Sequence, residues 1–305
     1  MSLLLIVDGH AIAHRAYHSI PPLTVNGQPV NALYGFYSML LSTLTALKPR
    51  YLAVCLDSPG PTFRQTEFLG YRAKRPPADR HLIVQLPLLQ TSLESAKISN
   101  FAMGGYEADD LIATIVRRSL ARRRITKITI ITGDKDLMQL VDDKVELFVP
   151  IRGLSETKIF TPHDVQQKMG VLPSQIIDYK ALVGDMSDNY PGIAGIGPKT
   201  AVELLTKYGS LDAVYSHLSD LSNLVRHKLV SGKDDAYLSQ KLATLIHNIP
   251  LKFSLKQSRW HSRQAQNLVP VFQSFHFKSL LSRLRKYYPA KNQVVDKNPT
   301  QTSLF

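Results

Sequence analysis

Short apolar runs alternate with longer amphipathic segments in the first half of the chain. The runs have the length and the aliphatic content of strands that are buried on both faces of a sheet. They cover residues 3–7, 51–56, 128–132 and 145–149. Helical spacing is found between them at residues 32–47 and 109–123. This alternation predicts an α/β fold with a mostly parallel central sheet and flanking helices.

Two regions depart from the alternation. Residues 60–82 are rich in Arg, Lys, Pro and aromatic residues and have weak apolar periodicity, which predicts a long, mobile, basic excursion from the core. From about residue 175 the strand signals fade and helical spacing dominates. We therefore predict an α/β unit over 1–174, a helical unit over 175–289 and a polar tail over 290–305.

Composition narrows the function classes. The chain has 305 residues, 44% of them hydrophobic, and its 37 Lys and Arg exceed its 24 Asp and Glu by 13. The basic excess favours an anionic partner such as nucleic acid, although a solvated basic surface would look the same. Cys55 lies in an apolar run. Because it is the single cysteine of the sequence, an internal disulfide is excluded. The first apolar run has only five residues before Asp8, which predicts a cytoplasmic protein without a signal peptide or membrane partner.

Acidic residues follow the predicted strands with unusual regularity. Because parallel strands present their carboxyl ends at one edge of a sheet, we expect these acids to converge there with the acids of "GYEADD" and "GDMSDN". The set comprises Asp8, Asp57, Glu107, Asp109, Asp110, Asp134, Asp136, Asp185 and Asp188.

So many carboxylates at one place need cations, because like charges a few ångströms apart repel. The oxygen-only donor set favours Mg²⁺, or Mn²⁺, over zinc. Two such ions roughly 4 Å apart support displacement reactions at phosphorus. Taken singly, each acid is more often a turn residue or a helix cap, and the acids of "GYEADD" also suit a first helical turn.

The order of "IVDGH", "CLDSPGPTFR", "GYEADD", "TGDKDLMQL" and "GDMSDNYPGIAGIGPKTA" resembles the 5′-nuclease family, in particular the 5′→3′ exonuclease domain of bacterial DNA polymerase I and its stand-alone relatives. The resemblance runs from Leu3 to about Tyr288. It implies a PIN-like nuclease core in which the nine acids hold two Mg²⁺ ions. The first metal and the shared positions would take Asp8, Asp57, Glu107, Asp109 and Asp110. The second metal would take Asp134, Asp136, Asp185 and Asp188.

The resemblance also gives roles to basic residues. Arg15 matches a family arginine near the scissile phosphate, and residues 60–82 match the helical arch that receives the single-stranded 5′ end. Arg72 stands where the family usually has lysine, and it is expected to take a catalytic role. The expected DNA contacts of the arch are Arg64, Tyr71, Lys74 and Arg75.

Residues 192–201, "GIAGIGPKTA", resemble the family's helix–hairpin–helix (helix–three-turn–helix) element. Glycines permit tight turns, and the next helix offers free N–H groups to a DNA phosphate. The expected contacts are Gly192, Gly195, Gly197, Lys199 and Thr200. In the family this loop also holds a monovalent ion, often K⁺.

The terminal "QTSLF" resembles the peptide by which bacterial replication proteins dock on the sliding clamp, with Thr302 where leucine is usual. Gln301, Leu304 and Phe305 would be its anchors. A disordered end is the alternative.

The resemblance implies a monomeric, structure-specific 5′ nuclease of replication and repair that removes flaps, RNA primers or 5′ nucleotides from DNA. Two alternatives stay open. The chain is the nuclease part of a longer DNA polymerase I, or it is a non-catalytic DNA-binding module. The acids argue against the second, because negative charge hinders DNA binding.

Overall fold

The computed structural model describes residues 2–152 and 156–289. Its main sheet has six strands in the order β5-β4-β1-β6-β7-β8, and a two-stranded hairpin, β2-β3, stands apart from it. All neighbours in the main sheet are parallel except β7 and β8, which are antiparallel. The strands are β1 (Leu3–Asp8), β2 (Thr24–Val25), β3 (Gln28–Pro29), β4 (Tyr51–Cys55), β5 (Asn100–Phe101), β6 (Lys127–Ile131), β7 (Val145–Arg152) and β8 (Glu156–Phe160).

Helices cover both faces of this sheet and dominate the described residues after β8. The α-helices of the described residues are α1 (Gly9–Ser19), α2 (Asn31–Leu47), α3 (Phe63–Glu67), α4 (Arg80–Ile83), α5 (Gln85–Ser95), α6 (Ala108–Leu120), α7 (Pro162–Met169), α8 (Ile176–Val183), α9 (Pro198–Tyr208), α10 (Leu211–Ser216), α11 (Asn223–Ser231), α12 (Lys233–Ala243), α13 (Ser262–Gln266), α14 (Leu268–Ser274) and α15 (Lys278–Tyr287). Short 3₁₀ turns lie at Asp136–Leu140, Pro173–Gln175 and Leu218–Asp220. The predicted fold class is confirmed.

The central strands are buried on both faces because their successive side chains point in opposite directions. Leu4 and Ile6 belong to the core cluster that includes α6. Leu5 and Val7 belong to a second cluster with α1 and α2 on the other face. A continuous apolar run without alternation predicts a strand that is buried on both faces, and β1 has this arrangement.

The last helices do not pack with the rest of the predicted helical unit. Helices α8 to α12 extend the α6 side of the core, whereas α13 to α15 cover the opposite face with α2. Phe272 of α14 is fully buried there, and Arg283 of α15 donates to Ser38 Oγ at 2.9 Å. Residues 175–289 thus contribute to two packing units. Helical periodicity could not reveal this, since it shows an apolar face and not the surface that the face covers.

The arch region, residues 60–82, begins with α3, and α4 starts at its end. Turns connect the two helices, and the backbone N–H of Arg72 donates to the carbonyl of Asp188 at 2.8 Å. The base of the arch is thereby held against the "GDMSDN" loop. Among the described residues no helix combines the length and the apolar character needed to cross a membrane. The predicted tail and its clamp anchors lie outside the described residues.

Candidate metal and nucleic-acid site

Five of the nine acids gather at the carboxyl edge of the parallel sheet. Asp8 ends β1, and its Oδ2 accepts a hydrogen bond from Thr132 Oγ1 at 2.8 Å, just after β6. Asp57 follows β4 and accepts from the N–H of Ala108, the first residue of α6, at 2.8 Å. We call this set the edge acids: Asp8, Asp57, Asp109, Asp134 and Asp136.

Three of the edge acids, Asp8, Asp109 and Asp136, are repelled by their acidic neighbours and lack enough counter-charge. Asp57 differs, because His10 and the N–H of Ala108 outweigh its burial and lower its pKa. Burial, followed by the charges of Asp134 and Asp8, raises the pKa of Asp109 well above its usual range. Burial and then the charge of Asp57 raise the pKa of Asp8 to about 7. Burial and the charge of Asp134 raise the pKa of Asp136 to about 7, although Lys180 opposes the shift. Carboxyls with such pKa values are held in place at a cost in stability, as is typical of functional sites.

The other four acids are already paired with basic side chains of the chain itself. Arg64 binds Asp110 through two contacts of 2.7 and 2.8 Å. Arg72 bridges Glu107 at 2.9 Å and Asp188 at 3.0 Å. Lys180 binds Asp185 at 2.7 Å and also contacts Asp136.

Arg64 and Tyr71 do not lie where an exposed arch would place them. They are only 2% and 4% exposed, and the Tyr71 hydroxyl donates to Glu107 at 3.2 Å and to Asp188 at 3.0 Å. The two side chains turn inward because buried carboxylates need donors more than a solvated loop does. DNA contacts were expected at these two positions, but this structure places both side chains in the protein interior. Lys74 and Arg75 are exposed, as expected.

Sequence reasoning missed Lys180 and His10. Lys180 is 6% exposed. Burial lowers its pKa, but Asp136, Tyr190 and Asp185 together outweigh burial and raise the pKa above the usual range. It lies five residues before Asp185, and that proximity in sequence could have flagged it. His10 Nδ1 lies 2.8 Å from the N–H of Asp57 and 3.1 Å from its carboxylate.

A cleft of about 1540 Å³ opens above the edge acids, between α1 and the arch. Asp8, Asp57, Asp109 and Asp134 line it on the acidic side. Its basic lining comprises Arg15, Arg72, Arg75 and the histidines His10, His14 and His18. The histidines recur every four residues along α1, a spacing that could have shown that they share one face. The cleft thus places carboxylates and cations side by side.

The predicted helix–hairpin–helix loop precedes α9, whose N-cap is Gly197. Gly195, Gly197 and Lys199 are exposed, Thr200 is half-buried and Gly192 is buried. Lys228 of α11, which sequence reasoning missed, donates to the Gly195 carbonyl at 3.0 Å. The loop therefore offers a helix N-terminus and two nearby ammonium groups.

Replacing Gly192 with alanine should make the protein less stable to unfolding. Gly192 has φ +60°, and an added Cβ would lie 2.2 Å from the backbone nitrogen of Gly184. We expect a loss of at least about 2 kcal/mol in the free energy of unfolding, measured by urea titration. The matched control is Gly197→Ala, where φ is −96° and a Cβ meets nothing within 4 Å. Equal stability of the two variants would contradict the close approach.

The donor set of the edge acids fits a hard divalent cation. In residues 2–152 and 156–289, no three or more His, Cys, Asp or Glu side chains already converge as a metal site. The edge acids nevertheless lie close together and offer only oxygen donors. Three of them, Asp8, Asp109 and Asp136, have raised pKa values, and a dication would relieve the repulsion that contributes to those shifts. Asp185, Asp188 and Glu107 would have to release basic partners before they could bind a metal ion.

The sequence of the chain is similar to those of known 5′–3′ exonucleases and DNA polymerases. Residues 3–170 match the profile described as 5′–3′ exonuclease, N-terminal resolvase-like domain, and residues 171–266 match the 5′–3′ exonuclease, C-terminal SAM fold. A 5′–3′ exonuclease of Aquifex aeolicus is 36% identical over 96% of this chain and 99% of its own length. DNA polymerase I of Caldicellulosiruptor bescii is 39% identical over 92% of this chain. The chain spans only 33% of that polymerase.

Solved structures show the same fold. The bacteriophage T5 flap endonuclease, seen with DNA and metal ions, has a TM-score of 0.65 and 19% identity and covers 94% of this chain and 100% of its own. The catalytic core of Rad2 with DNA substrate has a TM-score of 0.59 and 17% identity over 93% of this chain and 92% of its own. The profiles and the Aquifex relative cover enough of the sequence to settle its family: the chain belongs to the 5′–3′ exonuclease family.

Proposed function

We propose that this nuclease is structure-specific and metal-dependent, and that it cuts DNA phosphodiesters where a duplex meets a single-stranded 5′ end. One observation carries the proposal: poorly compensated carboxylates form the floor of a cleft whose walls are basic. Cations along the walls attract the phosphate backbone, while the edge acids would repel it unless a metal ion were bound between them. The flap endonuclease and Rad2 structures with DNA have the same fold.

The residues divide into two groups in this proposal. The edge acids would hold divalent metal, which supplies charge neutralisation at phosphorus and a more acidic water. Arg15, Arg72 and Arg75 line the cleft and would orient the scissile phosphate beside those acids. The loop at Gly192 to Thr200 would bind duplex backbone without reading sequence. We propose that the ion is Mg²⁺, that the edge acids hold two such ions and that the loop holds K⁺.

A labelled 5′-flap duplex, incubated with and without Mg²⁺ and sized on a gel, tests the function. We expect cleavage at the junction only with Mg²⁺, leaving a 5′-phosphate and a 3′-hydroxyl. An RNA segment at the 5′ end tests primer removal in the same assay. Binding of the flap without turnover in Mg²⁺ or Mn²⁺ would favour the non-catalytic DNA-binding module instead.

We also propose a sliding clamp as a partner besides DNA. The chain would act as a monomer, in the cytoplasm, either alone or as the nuclease part of a polymerase, since it spans a third of its polymerase relatives. Its last residues would dock on a sliding clamp through Gln301, Leu304 and Phe305. Equal clamp affinity of the full chain and of a variant truncated after Thr300 would contradict that docking.

Lys74→Gln should flatten the salt dependence of flap binding. Lys74 is exposed on the arch, where a cation can neutralise a phosphate of the single strand. Each such contact contributes a slope of about 0.7 to the logarithmic salt dependence on single strands. Titrations of flap affinity against salt measure it. Arg124→Gln is the control, because Arg124 is also exposed but lies in the turn after α6. Equal slopes in both variants would remove Lys74 from the interface.

A further inference from the structure

We propose that Asp110 is the structural counter-ion of Arg64 and not a metal ligand, and that Arg64 is a positioning residue that ties the arch and the helical unit to the acids at the start of α6. The inference rests on the proposed metal-dependent function. It reassigns two residues for which the sequence pattern predicted a metal ligand and a DNA contact.

The Asp110 carboxylate has no lone pair left to offer a metal ion. Its Oδ1 accepts from Arg64 Nη2 at 2.8 Å and from the N–H of Ile246 at 3.0 Å. Its Oδ2 accepts from Arg64 Nη1 at 2.7 Å and from the N–H of Glu107 at 3.2 Å. A carboxylate has about four lone-pair sites, and all of them are used. The residue is 0% exposed, so neither water nor an ion reaches it.

Asp109, the next residue, has the opposite environment. It accepts no hydrogen bond from the described residues and lines the open cleft. Burial and the neighbouring acids raise its pKa, whereas Asp110 is held by the forked contact with the Arg64 guanidinium. Adjacent acids on one helix turn thus have different tasks, since Asp109 faces the other edge acids and Asp110 faces Arg64.

The Arg64 guanidinium is saturated as well. A guanidinium has five N–H donors. Besides the two contacts with Asp110, Arg64 donates to Glu107 Oε2 at 3.3 Å and to the carbonyls of Leu242 at 2.8 Å and Thr244 at 3.1 Å. These five contacts leave no donor for a DNA phosphate. Arg64 therefore acts through the groups that it holds.

Those groups belong to three different parts of the molecule. Arg64 itself lies on α3 at the base of the arch, and Glu107 and Asp110 lie at the start of α6. The carbonyls of Leu242 and Thr244 are at the C-terminal end of α12, where a cation is favourable. Helix α12 also supports the DNA-facing loop, since Ser239 Oγ accepts from the N–H of Gly192 at 3.0 Å. One side chain fixes the arch, the acids and the loop relative to each other.

Metal binding by the free protein separates the two acids without relying on activity. Mn²⁺ titration followed by electron paramagnetic resonance should show that Asp110→Asn binds within about threefold of wild type, whereas Asp109→Asn binds at least about tenfold more weakly. Thermal unfolding without metal should move in opposite directions. The midpoint should fall in Asp110→Asn, because the amide N–H₂ group of asparagine would face N–H donors that now bind a carboxylate oxygen. It should rise in Asp109→Asn, because that variant loses a repulsive charge.

The outcomes distinguish this inference from the proposed function. If both variants lose Mn²⁺ binding equally while the unfolding midpoint of Asp110→Asn is unchanged or raised, Asp110 is a metal ligand and the inference is overturned. If Asp109→Asn binds Mn²⁺ as wild type does, the proposed metal site is itself wrong.

Variants of Arg64 test positioning against direct DNA contact. Arg64→Met should lower kcat on the 5′ flap more than tenfold. KM should change less than threefold, and the salt slope of flap binding should not change. Arg64→Lys keeps the charge but not the planar fork, so it should not restore kcat. A reduced salt slope in Arg64→Met that Arg64→Lys restores would show a phosphate contact and overturn the inference.

Arg64→Met alone leaves a buried charge unpaired and can fail to fold. The double variant Arg64→Met with Asp110→Asn removes both charges, and it should unfold at a higher temperature than Arg64→Met alone. A double variant whose midpoint shift equals the sum of the two single shifts would show that the residues do not act as a pair, and it too would overturn the inference.

Discussion

Asp109→Asn is expected to lower the rate of flap cleavage by about a thousandfold while raising the melting temperature of the metal-free protein. A catalytic metal contributes several kcal/mol to the transition state, and about 4 kcal/mol corresponds to a factor of about a thousand. Asp109 faces Asp8, Asp134 and Asp136 and accepts no compensating hydrogen bond from the described residues. Its removal therefore weakens the site and relieves repulsion in the same step.

This opposite movement of activity and stability is the diagnostic feature. A variant that merely misfolds loses both, whereas a functional carboxylate held against repulsion loses activity and gains stability. Single-turnover cleavage and thermal unfolding of the same preparation measure the two. Asp143→Asn is the matched control, because Asp143 is exposed on the turn before β7, and it should change neither quantity. A lowered melting temperature for Asp109→Asn would contradict the repulsive character of the edge acids.

The edge acids could be foreseen because their placement depends on topology. Asp8 and Asp57 follow apolar runs, and parallel strands bring whatever follows them to one edge. The two-residue spacing of Asp134 and Asp136 kept both near that edge, with only a short 3₁₀ turn beginning at Asp136. Local sequence and sheet order were sufficient here.

The environment of Arg64 could not be foreseen from local sequence. Its carbonyl partners are 178 and 180 residues away, at the end of a helix whose orientation the sequence does not specify. A basic, proline-rich segment indicates an exposed loop, and the exposure of Lys74 and Arg75 agrees with this. Whether an arginine in such a loop turns inward depends on which buried acids lack donors, and that is a tertiary property. Lys180 is different, because its partner Asp185 is only five residues away and the local sequence carried that signal.

Mg²⁺ is expected to stabilise the protein strongly at about pH 8 and only weakly at about pH 5.5. Asp8 and Asp136 have pKa values of about 7 in the fold, against about 3.9 in the unfolded chain. Between these values the native state binds more protons than the unfolded state, so the free energy of unfolding falls as pH rises from about 4 to about 7. For two carboxyls the loss is on the order of a few kcal/mol. It is complete above the folded pKa values.

A divalent ion replaces those protons as the source of counter-charge. At about 100 times its dissociation constant, an ion that binds only the native state adds about 2.7 kcal/mol. At the lower pH protons occupy the same oxygens, so the gain shrinks. Differential scanning calorimetry at the two pH values, with Mg²⁺ or with EDTA at matched ionic strength, measures the difference. Asp109→Asn serves as the control in which the Mg²⁺ gain at the higher pH should be smaller, since one ligand is missing. A gain from Mg²⁺ that is equal at both pH values would mean that the ion binds away from Asp8 and Asp136, and the edge acids would then not be its ligands.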